Sequence, residues 1–245
     1  AMKLNVFVTI DPERWEHRDL IAGIFMEVAE EKEFQNYKRL GIGVQLYFRD
    51  ARAHVEQLME WGKRRGTQFG IRPVKGAYHD LEKLWAEQDG RESPVWKYQD
   101  ETDIAYEDIT ALIIENEQLF TTIAIASHNP RSTSHGIAHA RAKGVMHKVE
   151  FQFLYGMGDP LKPAVVEMGG IERDYVPFGE LITSLAYMIR RIQESTQGSA
   201  LMRMSVKGLN PGELLKDPRE RQRERLAAEA ASQMVLTAPA MPWWL

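Results

Sequence analysis

The chain has 245 residues, which suits one large α/β domain or two small ones, and its 44% apolar content is enough to build a core. A formal net charge of −4 gives no electrostatic pull toward nucleic acid, and the lack of cysteine excludes disulfides and thiolate metal sites and fits a reducing compartment. No apolar run reaches the roughly 18 residues of a membrane span. The first residues enter a strand-like segment directly, so no signal peptide is expected, and Ala1–Met2 reads as a cloning remnant.

In chain order, short β-like runs alternate with longer helical ones. Asn5–Ile10 is the first candidate strand, rich in β-branched residues, with Asp11 at its end. Asp19–Glu33 follows as a helix, with Leu20, Ile24 and Val28 at helical spacing. Gly41–Tyr47 is a second strand and Ala51–Arg65 a second helix, stopped by Gly66. Gly70–Val74 is a third strand, leading into Lys75–Gly76–Ala77–Tyr78. Helices are expected over Leu81–Glu87 and Ile104–Gln118, then a strand at Ile123–Ala126 and a helix over Ser132–Lys143. Val149–Leu154 is the fifth strand, and Glu180–Ser195 is a strong helix. From about Val206 the character changes: Asn210–Pro211 and Asp217–Pro218 break the chain, Arg219–Gln233 is a charged helix, and the end carries Trp243–Trp244. The expected division is a barrel domain over 3–205 and a linker or tail over 206–245. Strands separated by helices argue for a parallel sheet, either doubly wound or closed into a barrel.

Four constellations can carry chemistry. In the Glu180–Ser195 helix, Tyr187, Arg190, Arg191 and Glu194 share one face, while Leu181, Leu185, Met188, Ile189 and Ile192 form the other. Paired guanidiniums match a carboxylate; the plain alternative is a solvated face with an ion pair. At the end of the third strand, Arg72 and Lys75 suit anionic or electron-rich groups, and Gly76 allows close backbone approach; a surface lysine and a turn is the plain alternative. Ser127 and His128 follow the fourth strand and can donate to a phosphate. Asp11 and Gln45 hold comparable strand-end positions, although a strand-end Asp is as often a helix cap. The turn Gly156–Met157–Gly158 lacks the GxGxxG nucleotide pattern. His135 and His139, with His128, His147 or Asp11, could in principle hold zinc, but no HExxH occurs.

The order VKGAY, PVWKYQDETDIAY, ASHN, EFQFLYGMG and YVPFGELITSLAYMIRR, spread from Asn5 to Leu201, resembles the proline dehydrogenase family, and in particular the domains inside bifunctional proline utilization A enzymes. The resemblance implies a distorted (β/α)8 TIM-like barrel with FAD at the strand carboxyl ends and the last helix lying over that mouth. It implies that Arg190 and Arg191 clamp the L-proline carboxylate, Glu194 holds an arginine, Tyr175 and Tyr187 pack around the pyrrolidine ring, and Asp11 organises the arginine pair. Arg72, Lys75, Gly76, Ala77, Gln45, Ser127 and His128 are implied flavin contacts. The implied reaction moves a hydride from proline C5 to flavin N5, giving pyrroline-5-carboxylate, with electrons passing to a quinone. The setting implied is cytoplasmic, with at most peripheral contact at the inner membrane.

This sequence departs from the family pattern at Pro73 (usually leucine), His79 (often tryptophan), Lys97 and Ser127 (each usually threonine) and Tyr155 (commonly histidine). The family's early strands, one bearing an active-site lysine, have no counterpart before Asn5. The expectation is therefore a barrel lacking its N-terminal strands, completed by another chain, a homo-oligomer or a longer polypeptide with an aldehyde dehydrogenase module. A non-catalytic scaffold and a metal-dependent hydrolase barrel are the competing readings.

Overall fold

The computed structural model describes residues 2–180, 185, 189 and 211–237. Six parallel strands form one sheet: β1 (Val8–Ile10), β2 (Leu40–Gln45), β3 (Phe69–Val74), β4 (Phe120–Ala126), β5 (Val149–Leu154) and β6 (Ile171–Tyr175). Their spatial order is their sequence order. A doubly wound sheet reverses direction at a switch point, and this one never does. Among the described residues the result is a half-barrel, six strands of parallel winding, in line with the expected (β/α)8-type barrel that lacks part of its strands. Among the described residues β1 and β6 each have one sheet neighbour.

Helices fill the crossovers: α1 (Trp15–Glu30), α2 (Ala51–Arg65), α3 (His79–Gln88), α4 (Gln99–Glu115), α5 (Pro130–Lys143) and α6 (Leu161–Glu167), followed by α7 (Pro211–Leu215) and α8 (Pro218–Thr237). Local chemistry sets several starts. The Trp15 N–H at the head of α1 donates to Glu82 Oε1 at 2.8 Å, satisfying one of the donors that a helix start leaves unpaired. Asn129 caps α5 by accepting from the Ser132 N–H at 3.2 Å, with Pro130 as first helical residue.

The strands alternate with period two, and that alternation positions the site. One face carries Ile42, Val44, Phe69, Ile71, Ile123, Ile125, Val149, Phe151 and Phe153, all buried. It packs with Phe25 and Ala29 of α1, Leu58 and Trp61 of α2, and Ile109 and Ile113 of α4 in one core. Phe25, Trp61, Phe69 and Phe120 form a chain of ring contacts with centroids 5.1 to 5.5 Å apart along it. The opposite face is small or polar: Gly41, Gly43 and Gln45 on β2, Gly70 and Arg72 on β3, Glu150 and Gln152 on β5. Phe7 lies against Gly41 and Gly70, so a methyl group at Gly70 would come within 2.3 Å of its ring. That ring sits toward the strand amino ends, and the polar residues are left at the carboxyl ends.

Several elements differ from the sequence expectation: the short helices α6 and α7 are not expected, and two further differences concern β6 and α8. Five strands are expected and β6 is the sixth. Its IERDY sequence, three of five residues charged, hides it from a hydrophobic pattern, and pairing supplies what apolar content does not. Arg173 reaches Glu150 of β5 at 2.9 Å, and Lys162 reaches Asp174 at 2.6 Å. The charged tail helix, read as part of a linker, is α8, which packs against α4.

Candidate cofactor site

A cavity of about 480 Å³ opens at the carboxyl ends of the strands. Every strand contributes to it. Asp11 follows β1, Gln45 ends β2, Arg72 lies in β3, Lys75, Gly76 and Ala77 follow β3, Ser127 and His128 follow β4, and Tyr175 ends β6. All seven residues expected at the flavin, together with Asp11 and Tyr175, are therefore brought together around one space. The volume is in the range of small-molecule sites, roughly 300–1,000 Å³.

Asp11 pairs with Arg72 across β2. Gly43 makes this possible: a methyl group there would stand 2.2 Å from Asp11 Oδ1. Partial burial raises the Asp11 carboxyl above its ordinary value, with Arg72 pulling the other way. The Asp11 partner in the structure is thus Arg72. Arg190, Arg191, Glu194 and Tyr187, the expected substrate-side residues, lie outside the described residues.

Gln45 donates from Nε2 to the Glu13 carbonyl at 2.8 Å, and its buried Oε1 has no partner among the described residues. Arg72 Nε is likewise buried and unpartnered. Groups buried without partners are costly unless something binds them, so an acceptor and a donor held ready at the cavity fit a polar ligand. After β3 the chain is pinned over Tyr47, whose N–H donates to the Lys75 carbonyl at 2.8 Å. A methyl group at Gly76 would meet the Tyr47 ring at 2.4 Å. The Lys75 ammonium pairs with Asp103 of α4 and lies 5.5 Å from the Tyr106 ring centroid. His128 accepts the Leu154 N–H on Nε2 at 3.0 Å, which leaves Nδ1 to carry the ring proton as donor. Ser127 Oγ accepts from the Asn129 N–H at 3.2 Å.

Of the divergent positions Ser127 lines the cavity, whereas Pro73, His79, Lys97 and Tyr155 lie outside its lining. Pro73 is on the helix-facing side of β3, and its carbonyl accepts from Tyr106 Oη at 3.3 Å. His79 Nε2 lies 2.8 Å from the Trp96 carbonyl, outside the cavity lining. The Tyr155 side chain is exposed, while its backbone N–H donates to the Tyr175 carbonyl at 3.0 Å. His135 and His139 lie on α5 with ring centroids 4.3 Å apart, His135 facing Glu107 at 3.8 Å. Among the described residues no group of three His, Asp or Glu is arranged to hold a metal ion.

Sequence reasoning missed Asp103 as the partner of Lys75, and it missed Gln152, Phe153 and Leu154 in the lining. Asp103 carried a faint signal: an acid in the first turns of the crossover helix that returns from the lysine-bearing strand.

The fold and the cleft define a class: a parallel β/α half-barrel with a polar site of small-molecule size at its strand carboxyl ends. A family model described as proline dehydrogenase matches residues 1–204, and the chain belongs to that family. It is 29% identical over 226 residues to the bifunctional protein PutA of Rhizobium meliloti, covering 90% of this chain and 18% of that protein. It is 27% identical to human mitochondrial proline dehydrogenase 1, over 80% of this chain and 33% of the relative. The crystal structure of proline utilization A from Bdellovibrio bacteriovorus, inactivated by N-propargylglycine, superposes with a TM-score of 0.84 at 40% identity, covering 89% of this chain and 23% of that one. The chain thus spans well under half the length of these relatives.

Proposed function

We propose that the chain forms the flavin-binding part of an enzyme that oxidises L-proline to pyrroline-5-carboxylate. The observation that supports this best is the gathering of Arg72, Lys75, Gly76, Ala77, Gln45, Ser127 and His128 around one cavity in a chain of this family. The residues suit FAD: fixed cations for its diphosphate and electron-rich ring, and buried polar atoms on Gln45 and Arg72 awaiting partners. Bound flavin supplies the two-electron acceptor that takes the hydride from proline C5.

The protein's own part is orientation and charge. Arg72, anchored by Asp11, keeps its guanidinium at the cavity wall, where it favours electron density arriving on the cofactor. His128, held by the Leu154 N–H on its Nε2, stands in the cavity lining, and Lys75 offers a cation at the end of β3. Tyr175 supplies an apolar ring edge for the substrate. On the family resemblance, Arg190 and Arg191 take the proline carboxylate, Glu194 steadies them and Tyr187 packs on the ring; a quinone receives the electrons, in a cytoplasmic setting at the inner membrane surface. The remaining barrel units, and an aldehyde dehydrogenase module, would come from a longer polypeptide or a partner.

The test is a visible spectrum of the purified protein titrated with FAD, then with proline under anaerobic conditions. Flavin absorbance that proline bleaches supports the proposal. A protein that takes up no flavin overturns it for this chain; bound flavin that proline leaves oxidised overturns a complete substrate site on this chain alone.

A further inference from the structure

The Lys75 partner Asp103 does not serve Lys75 alone. Its buried carboxylate takes Lys75 on Oδ1, together with the Gln99 amide at 3.0 Å, and Arg221 of α8 on Oδ2 at 2.7 Å. Arg221 comes from 118 residues further along the chain. Burial pushes the Asp103 carboxyl up, but Lys75, Gln99 and Arg221 outweigh it and hold it below the ordinary value. The carboxylate is therefore charged, and the trio of Lys75, Asp103 and Arg221 carries one net positive charge beside the cavity. Without Arg221 the trio is neutral, and Asp103 is left to oppose Lys75 alone.

The rest of α8 is clamped independently. Arg225 reaches Asp100 at 2.8 Å and lies 3.6 Å over the Tyr98 ring, while Arg219 pairs with Asp108. Loss of Arg221 alone therefore leaves the helix docked. The cation next to Lys75 is separable from the attachment of the helix.

We propose that Arg221 and Asp103 are positioning residues for the cofactor site: α8, by occupying one oxygen of Asp103, keeps the Lys75 charge available to a diphosphate group at the cavity. The inference rests on the flavin reading of the same cavity. A change of one charge close to a dianion in a partly screened site alters its affinity by about tenfold.

The experiment measures dissociation constants for FAD, riboflavin and inorganic pyrophosphate on the full chain and three variants. Arg221→Gln is expected to weaken FAD and pyrophosphate about five- to tenfold and to leave riboflavin, which has no phosphate, unchanged. Arg221→Lys, which keeps the charge, restores both phosphate ligands to the wild-type values. Arg219→Gln, which removes an ion pair of the same helix away from Lys75, binds all three as wild type does. Equal FAD and pyrophosphate affinities in wild type and Arg221→Gln overturn the inference. So does a matching loss of riboflavin, or an equal effect of Arg219→Gln, since either marks a merely structural role. A wild-type chain that binds pyrophosphate but not FAD sinks the flavin reading alone and leaves the inference to the pyrophosphate arm; one that binds neither overturns both.

Discussion

The four central strands and the two outer ones are the same element under different conditions. Along β2, five of six residues are buried, and β3 and β5 bury four of six each. In β1 no residue is buried, and in β6 four of five are exposed. The central strands are stabilised by apolar burial against α1, α2, α4 and α5. The outer strands are held by ladder hydrogen bonds on one side and, in β6, by the ion pairs of Arg173 and Asp174. The site draws on both regions. Its cofactor-side residues stand on the buried strands, whereas Asp11 and Tyr175 stand at the ends of the exposed ones, and the Asp11–Arg72 pair couples the two groups.

Truncation at the centre should give the largest effect. Phe69 is fully buried and touches Phe25, Trp61 and Phe120. Phe69→Ala is expected to cost about 3–5 kcal/mol in urea unfolding. The matching change on the flank, Ile171→Ala, removes a half-exposed side chain and should cost under about 1 kcal/mol. Similar losses at the two sites would erase the contrast between centre and flank.

Next in size is a pH effect seated behind the central sheet. His54 of α2 is buried; that burial, reinforced by the nearby Arg18 guanidinium, holds its imidazolium down to about 4. An unfolded chain protonates this histidine near the ordinary 6.5. Between those values the unfolded state binds more protons, so the contribution is complete above pH 6.5 and is lost as pH falls toward 4, by roughly 3 kcal/mol in all. Asp50 and Asp103, both held below the ordinary carboxylate value, keep their contributions above about pH 4 and lose them only below it. His54→Gln should flatten stability between pH 6.5 and 4 and leave the steeper loss at lower pH; an unchanged slope would mean that His54 titrates normally.

A smaller change reaches the site through the flank. Gly43→Ala pushes a methyl group into Asp11 and must displace that carboxylate from Arg72. Stability should fall by about 1–2 kcal/mol, with FAD affinity falling alongside it because Arg72 loses its anchor. Calorimetry paired with a flavin titration checks both; a loss of stability with full FAD affinity would detach Asp11 from the cofactor side.

Much of this was legible in the sequence because the chemistry sits at strand ends, and strand ends are local. Arg72 lies within the third candidate strand, and Lys75, Ser127 and His128 stand just after strands that are visible without coordinates. The hidden parts are those where a partner lies far along the chain or a strand lacks an apolar signal. Asp103 meets Lys75 across 28 positions and Arg221 across 118; its place in the first turns of a crossover helix is a faint signal for the first contact, and nothing in the tail announces the second. β6 is charged because an outer strand of this sheet can hold itself by ion pairs. Pro73 stands where the family usually has leucine, and alternation along the strand turns it to the face opposite Arg72.

The smallest expected effect gives the comparison its most sensitive check. On α1, Leu20, Ile24 and Val28 stand four residues apart along one face and are 63%, 49% and 38% exposed. The other face of the same helix buries Ala22, Phe25 and Ala29 in the core. A side chain already facing water has little transfer free energy to lose, so Leu20→Gln should change stability by less than about 0.5 kcal/mol, against several for Phe25→Ala. Thermal melts of the two variants settle the ratio. If Leu20→Gln lowers stability by more than about 1 kcal/mol, or if its effect grows with protein concentration, then that face is covered in solution. The flank beside β1 would in that case be an interior surface of a larger assembly, and the division between a packed centre and solvent-facing edges would belong to the isolated chain only.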